Sequence, residues 1–343
     1  MWSVGLDVHQ RSSTLCILDE SGKRVKQQQV RGPWQKVIDL LGQLGHPFAI
    51  CYEASCGYGA LYDRLSRLAK RVVVAHPGAL RLIFRAKRKN DRCDAGKLAV
   101  LLFLDQVPPV YVPSGQVRSW RGLIEFRHRV MTNRTRCKNQ LRSLLRGHGV
   151  AAVTGKRLWT RAGLRWLEHV ELPTEAAALQ RDLVCEQLSH LEKQIKRVER
   201  TLNRMGRAHP GVMLLRTIPG VGPRTSEAVV AYIDDPRRFS RTRKVGSYFG
   251  LVPCQDQSAA VNRLGHITRQ GPSTVRKLLT EAAWQAIRRS RHVRAYFDRI
   301  QRGDPQRRKI ALVATAHYLV RVMQAMLRTG QGWRYDDRVA KAA

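Results

Sequence analysis

The chain has 343 residues, a length for two or three domains, and its 43% apolar content excludes wholesale disorder. Lys and Arg number 62 against 26 Asp and Glu, a formal charge of +36. Self-repulsion of that size stabilises no free domain, but a polyanion would screen it and release its counterions on binding. Arg is abundant, as in Arg85-Ala86-Lys87-Arg88-Lys89, and its fork suits bidentate phosphate contacts, which favours nucleic acid over a membrane surface.

Residues 1–110 read as an α/β domain. Trp2–His9, Ser13–Leu18 and Val25–Val30 alternate as strands, with a turn at Asp19–Lys23. Trp34–Leu44 has helical spacing, Phe48–Tyr52 is a short buried strand, Gly59–Leu68 a helix, and Arg71–Ala75 another apolar strand. A further helix starts near Asp94 and carries Leu98, Val100, Leu101 and Leu102. Three consecutive strands followed by β-α-β alternation mean a mixed sheet with helices on its faces.

Residues 111–207 read as basic helices with a coiled coil. The stretch 115–150 sets Leu123, Phe126, Val130 and Met131 on one face and crowds the rest with Arg127, Arg129, Arg134, Arg136, Lys138, Arg142 and Arg146, a phosphate-tracking surface, the alternative being a solvated charged face. Thr174-Glu175 opens a long helix whose apolar positions run from Val184 through Leu188, Leu191, Ile195, Val198 and Leu202 to Met205 in steps of four and three. That seam needs a partner helix. The reading favours a second subunit in a homo-oligomer, a dimer assembling to a tetramer; the alternative is an intramolecular hairpin with the helix at 115–148.

Residues 208–330 read as a separate, mostly helical domain, with further helices at Thr274–Arg289 and Arg308–Leu327, and 331–343 as a frayed tail. Pro219-Gly220-Val221-Gly222 resembles the turn of a helix-hairpin-helix element, in which glycines let backbone N–H groups approach a phosphate at the next helix start, beside Arg224. The alternative is an ordinary helix–Gly–helix turn.

Of four carboxylates that stand out, three sit where apolar pattern meets a loop. Asp7 closes the first strand and Glu53 the strand Phe48–Tyr52, while Asp91 and Asp94 share one face of a helix start at spacing i, i+3. Each alone reads equally as a turn, helix-terminal or capping residue. Together, in so basic a chain, they suit hard divalent ions, Mg2+ or Mn2+, and phosphodiester chemistry. Asp7 and His9 interrupt the place of a secretory leader, and Leu98–Leu104 is the longest obvious apolar run, short of the ~18 residues of a membrane span. Seven cysteines without a Cys-x-x-Cys pair argue against a zinc knuckle and a disulfide framework, so a reducing cytoplasm is expected, and the charge and the short apolar runs give no reason to expect a membrane partner.

Gly5-Leu6-Asp7-Val8-His9, Tyr52-Glu53-Ala54-Ser55 and Lys89-Asn90-Asp91-Arg92-Cys93-Asp94-Ala95 resemble the Asp-Glu-Asp-Asp transposases of the insertion-sequence-110 family. So do Ile218-Pro219-Gly220-Val221-Gly222, Tyr248-Phe249-Gly250-Leu251-Val252-Pro253 and Gly265-His266-Ile267-Thr268-Arg269-Gln270-Gly271. The resemblance implies a ribonuclease-H fold of the RuvC (Holliday-resolvase) type at the N-terminus, binding Mg2+ through Asp7, Glu53, Asp91 and Asp94. It implies a nucleophilic serine in the C-terminal domain, Ser258 by position, and a structured noncoding guide RNA that pairs with donor and target DNA. The family's serine is commonly followed by glycines; here Ala259-Ala260 follow. By residue type alone Ser258 is a turn residue of a polar loop, with Ser226, Ser240 and Ser247 as weaker candidates. His266 reads as a base, a phosphate ligand or a packed loop histidine, and Arg269 as a nucleic-acid contact. Two other functions stay open: a metal-dependent junction nuclease using water, and a nucleic-acid-binding scaffold without catalysis.

Overall fold

The computed structural model describes residues 1–55, 57–83, 91–151, 157–258 and 261–335. Three antiparallel-connected strands lead the chain: β1 (Trp2–Val8), β2 (Ser12–Leu18) and β3 (Arg24–Arg31). Helix α1 (Gln35–Gly42), strand β4 (Phe48–Glu53), helix α2 (Tyr58–Leu65), strand β5 (Arg71–Ala75) and helices α3 (Pro77–Ile83) and α4 (Asp91–Phe103) follow. The sheet order is β3-β2-β1-β4-β5, with β1, β4 and β5 parallel, so a mixed sheet lies at the centre of this unit.

Period-2 alternation explains the two faces. Val4, Leu6, Leu15, Ile17, Ile50, Tyr52 and Val74 point to one side and are buried with Val37 and Leu41 of α1 and Leu61 and Leu65 of α2. The other side carries small residues: Gly5, Cys16, Ala49, Cys51 and Ala75. Helix α4 settles on it with Ala95, Leu98, Ala99, Leu101 and Leu102. A Cβ added to Gly5 would collide with the Ala95 carbonyl oxygen and the Ala99 amide nitrogen, so the helix backbone lies directly on β1.

This first unit ends at Arg118, and Ser119–Ala343 form a second. Helix α5 (Gly115–Gly147) runs into the second unit, followed by α6 (Arg161–His169) and α7 (Glu175–Arg207). Thr174 caps α7, its hydroxyl accepting from Ala177 N–H at 3.2 Å. The apolar seam of α7 is filled within the chain, by the intramolecular hairpin with the helix at 115–148 that the sequence left as the alternative. Leu188, Leu191 and Ile195 pack on Val130, Cys137, Leu141 and Leu145 of α5, and Val198 and Leu202 are buried with Trp120 and Ile124. Arg127 bonds Glu199 at 2.9 Å and Lys138 lies 3.9 Å from Glu192, so the two helices run antiparallel.

The rest of this unit holds α8 (Pro210–Leu215), α9 (Pro223–Ile233), α10 (Arg243–Tyr248), the strands β6 (Pro253–Ser258) and β7 (Val261–Ile267), then α11 (Ser273–Arg289), α12 (Arg291–Gln301) and α13 (Arg308–Thr329). Neither the ribbon β6–β7 nor α6 and α12 was expected. The stretch Pro305–Thr329 is long and apolar enough to cross a membrane by length and composition, contrary to the reading that no run approaches that length. In this fold its Leu319, Val320 and Met323 are fully buried in the helical core. The expected frayed tail also begins in order: Trp333 N–H donates to Thr217 Oγ1 at 3.0 Å, and Tyr335 stacks on His292 at 3.6 Å.

Candidate active site

Parallel pairing of β1 with β4 runs up to Leu6 opposite Tyr52, so Asp7 and Glu53 are the next residues along adjacent strands. Both follow the small-residue face on which α4 lies, because residues two apart share a face. The ladder continues past Glu53, where Ala54 N–H donates to the Ala75 carbonyl at 3.0 Å. The Tyr52 hydroxyl donates to the Tyr58 carbonyl at 2.6 Å and pins the loop beyond. Asp94 stands one residue before Ala95, the point where α4 touches Gly5.

Asp7, Glu53 and Asp94 therefore line one pocket of about 120 Å³, with Pro77, Leu80 and Arg81 of α3 and Lys97 and Leu98 of α4. Asp91 is the first residue of α4, one turn before Asp94; its side chain lies outside the described residues. Two internal contacts hold the acids. Asp94 Oδ1 pairs with Lys97 Nζ at 3.2 Å, and Asp7 Oδ2 lies 3.2 Å from His9 Nε2. Among the described residues, no three acidic, His or Cys side chains are close enough together to hold a metal ion as they stand. The donor chemistry fits a hard divalent cation nonetheless: three carboxylates face one pocket, and only oxygen is offered. Arg81, Lys97 and His9 were missed from sequence; of these only Lys97, at i+3 from Asp94, carried a local signal.

The other expected residues are dispersed. Arg85, Lys87, Arg88 and Lys89 lie outside the described residues. On α5, Arg142 is exposed and its guanidinium lies 5.2 Å from the Trp159 ring. Lys138 is largely enclosed, stacked 4.7 Å over Trp159 beside Glu192, and burial lowers its pKa. Arg134 is half-buried. As nucleic-acid contacts Arg134 and Lys138 thus present less than a fully solvated helix face would.

The glycine turn departs further from expectation. Gly220 has φ +88°, and a Cβ there would come within 2.8 Å of Ala286 Cα, so this glycine serves the packing of the turn against α11. Gly222 is the N-cap of α9, with Pro223 next. Arg224 faces inward, paired with Glu227 at 3.1 Å and with Asn203 of α7, and burial lowers its pKa. Burial likewise pushes the Glu227 carboxyl up to about 7. Arg224 is thus engaged within the protein, in an ion pair with Glu227.

Ser258 is the last residue of β6, paired with Val261 across the ribbon; its side chain lies outside the described residues. It belongs to a strand end, where a polar loop was expected. His266 is exposed on β7. Arg269, exposed with φ +54°, bonds the Gly250 carbonyl through its N–H at 3.3 Å. There the loops around Gly250 and Gln270 interlock. Arg276 Nη1 donates to the carbonyls of Gln270 at 2.5 Å and Phe249 at 3.2 Å. Ser226 is fully buried and its hydroxyl donates to Gly222, which removes it as a nucleophile candidate, while Ser240 and Ser247 are exposed.

A carboxylate pocket at the ends of parallel strands, in so basic a chain, marks the class of enzymes that act on nucleic-acid strands. Two family models match in sequence order. A DEDD transposase model, described as "Transposase", covers residues 4–149, and the "Transposase IS116/IS110/IS902 family" covers 212–298. The chain belongs to the IS110 family of insertion-sequence transposases. Among similar proteins, a probable family 20 transposase of Pseudomonas aeruginosa is 28% identical over 330 residues, spanning 94% of this chain and 96% of that one. The transposase for insertion sequence element IS1111A of Coxiella burnetii is 26% identical over 294 residues, 83% of this chain and 78% of the relative.

Proposed function

We propose that the chain cleaves and rejoins DNA strands at a centre formed by Asp7, Glu53, Asp91 and Asp94, with Ser258 as nucleophile and a structured noncoding RNA choosing donor and target sites. Family membership supplies the DNA-cleaving and recombining activity. The observation that carries the rest is the convergence of Asp7, Glu53 and Asp94, from three separate segments, on one pocket. The sheet order β3-β2-β1-β4-β5, with acids closing β1 and β4, supports a ribonuclease-H fold of the RuvC type for the N-terminal unit.

Asp7, Glu53, Asp91 and Asp94 would hold Mg2+ or Mn2+, which when bound would stabilise charge on the phosphate and favour the deprotonated nucleophile. Lys97 keeps Asp94 compensated until then, and with Arg81 supplies positive charge for the phosphate. Ser258 Oγ attacks phosphorus, one P–O bond to the DNA breaks, and the leaving strand oxygen takes up a proton. The phosphoserine keeps the bond energy that hydrolysis would release, so a new strand hydroxyl can attack it, restoring the phosphodiester and the serine without a nucleotide cofactor. Functionally the chain divides into a catalytic part at 1–110, basic helices at 111–207, the serine-bearing part at 208–330 and a tail at 331–343.

The test is trapping on a denaturing gel. Wild type with DNA, the noncoding RNA and Mg2+ should give protein-linked DNA, and Ser258→Ala should give none. Asp94→Asn should abolish cleavage while DNA binding is retained. Adduct formation by Ser258→Ala would exclude that serine. Cleavage with no adduct in either protein would support a junction nuclease, and binding without cleavage a scaffold.

A further inference from the structure

The outer side of the α5–α7 hairpin carries a groove of about 570 Å³ that none of the functions above uses. One wall is an arginine row on α7. Arg197, Arg200 and Arg204 are spaced three and four apart, so they share a helix face over roughly 10 Å. All three are exposed, and among the described residues no carboxylate pairs with them. The acids of this stretch are used elsewhere: Glu199 bonds Arg127, and Glu192 faces Lys138. The floor is apolar, with Leu123 half-buried, Phe126 38% exposed, and Val198 beneath. A row of cations beside an exposed ring and an aliphatic strip matches neither a folded core nor a solvated face.

We propose that this groove seats the sugar–phosphate backbone of one DNA strand, with its phosphates on Arg197, Arg200 and Arg204 and its deoxyribose faces on Phe126 and Leu123. The row spans about three phosphate steps of a duplex strand at 3.4 Å each along the axis. Charge complementarity selects a polyanion, and the family's DNA activity supplies one. The floor selects DNA over RNA. A ribose 2′-hydroxyl laid on Phe126 and Leu123 would lose its water and find no acceptor. The discrimination lies in the carbon surface of Phe126, Leu123 and Val198, which offers a hydroxyl no partner; the polar groups of the groove, Thr201, whose hydroxyl donates to the Arg197 carbonyl at 3.5 Å, and Gln194, whose Nε2 lies 2.9 Å from His190 Nε2, are on the α7 wall.

The inference rests on the chain acting on DNA, but not on the carboxylates or Ser258, so binding tests it apart from cleavage. The probe is a DNA duplex of the element's end and an RNA duplex of the same sequence, each titrated with full-length protein over a salt series. The triple variant Arg197→Gln, Arg200→Gln, Arg204→Gln should lower the slope of log affinity against log salt by about 2.7 for DNA, about 0.9 per phosphate contact, and weaken binding at least about 10-fold. The RNA affinity should fall by less. Phe126→Ala should weaken DNA binding at an unchanged salt slope. The three arginines are exposed, so the variant should melt as wild type does. An unchanged slope, an equal loss for RNA, or an equal loss on neutralising Arg288, Arg289 and Arg291 would overturn the proposal. A change in the oligomeric mass of the free variant would also overturn it, by making the groove a self-interface.

Discussion

Gly5 sets how close the acid-bearing helix can lie to the sheet. A methyl group in Gly5→Ala would penetrate the Ala95 carbonyl and the Ala99 amide nitrogen and stand 3.0 Å from Ala99 Cα. These are backbone atoms of α4, so no side chain can rotate away, and the helix must withdraw by roughly 1 Å or more. Overpacking of that kind costs about 1–3 kcal/mol, a fall of roughly 4 to 12 °C in the melting temperature of the N-terminal unit. The same displacement carries Asp94 away from Asp7 and Glu53, and a misplacement of about 1 Å at a reacting centre costs about 100-fold in rate. Gly96→Ala is the matched control. It lies in the same helix with open space around it, and should stabilise by about 0.5–1 kcal/mol without loss of cleavage. Calorimetry and a single-turnover DNA cleavage assay give the two readouts. If Gly5→Ala melts and cleaves like wild type, α4 does not lie on β1 as described and the packing argument for the pocket fails.

Leu191→Lys should destabilise the α5–α7 hairpin by at least about 2 kcal/mol, because a buried contact within the chain is lost, and urea unfolding should show it in dilute protein; a monomer as stable as wild type would contradict the intramolecular seam. Glu227 makes stability depend on pH. Its folded pKa of about 7 lies above the ordinary carboxyl value of 4.5, so its contribution is full below about pH 4.5 and is lost as pH rises through 7, with a ceiling of about 3 kcal/mol. The difference in melting between wild type and Glu227→Gln should therefore favour wild type more at pH 5 than at pH 8, and an equal difference at both pH values would refute the assignment.

The sheet was readable because β1, β2, β4 and β5 are covered and their alternation is clean, as in Val4, Leu6, Leu15 and Ile17. The acids were readable because a carboxylate closing an apolar strand stands out. The ribbon β6–β7 was not: Cys254-Gln255-Asp256-Gln257 are all exposed, so neither face leaves an apolar period. The partner of the α7 seam was ambiguous because heptad spacing specifies a facing helix but not whose. Arg81 reaches the pocket only through the chain path after β5, which no local pattern encodes. The inward pairing of Arg224 was hidden for a similar reason, since its partners, buried Glu227 and exposed Asn203, meet it only once α9 packs on α7.

The ribbon β6–β7 leaves Pro253–Gln257 and Arg263–His266 open to water on both sides, with even Leu264 66% exposed. A two-stranded hairpin with no covered face is marginally stable by itself. The proposed nucleophile is thus carried on an arm with little intrinsic preference for one pose, and whatever substrate surface cradles the arm must supply its order. Part of the affinity for the right DNA would then be spent as orientation at the reacting bond, so that a mismatched complex, held less firmly, would lose reaction rate as well as residence time. Fidelity in such a recombinase would be built into the thinness of its own ribbon.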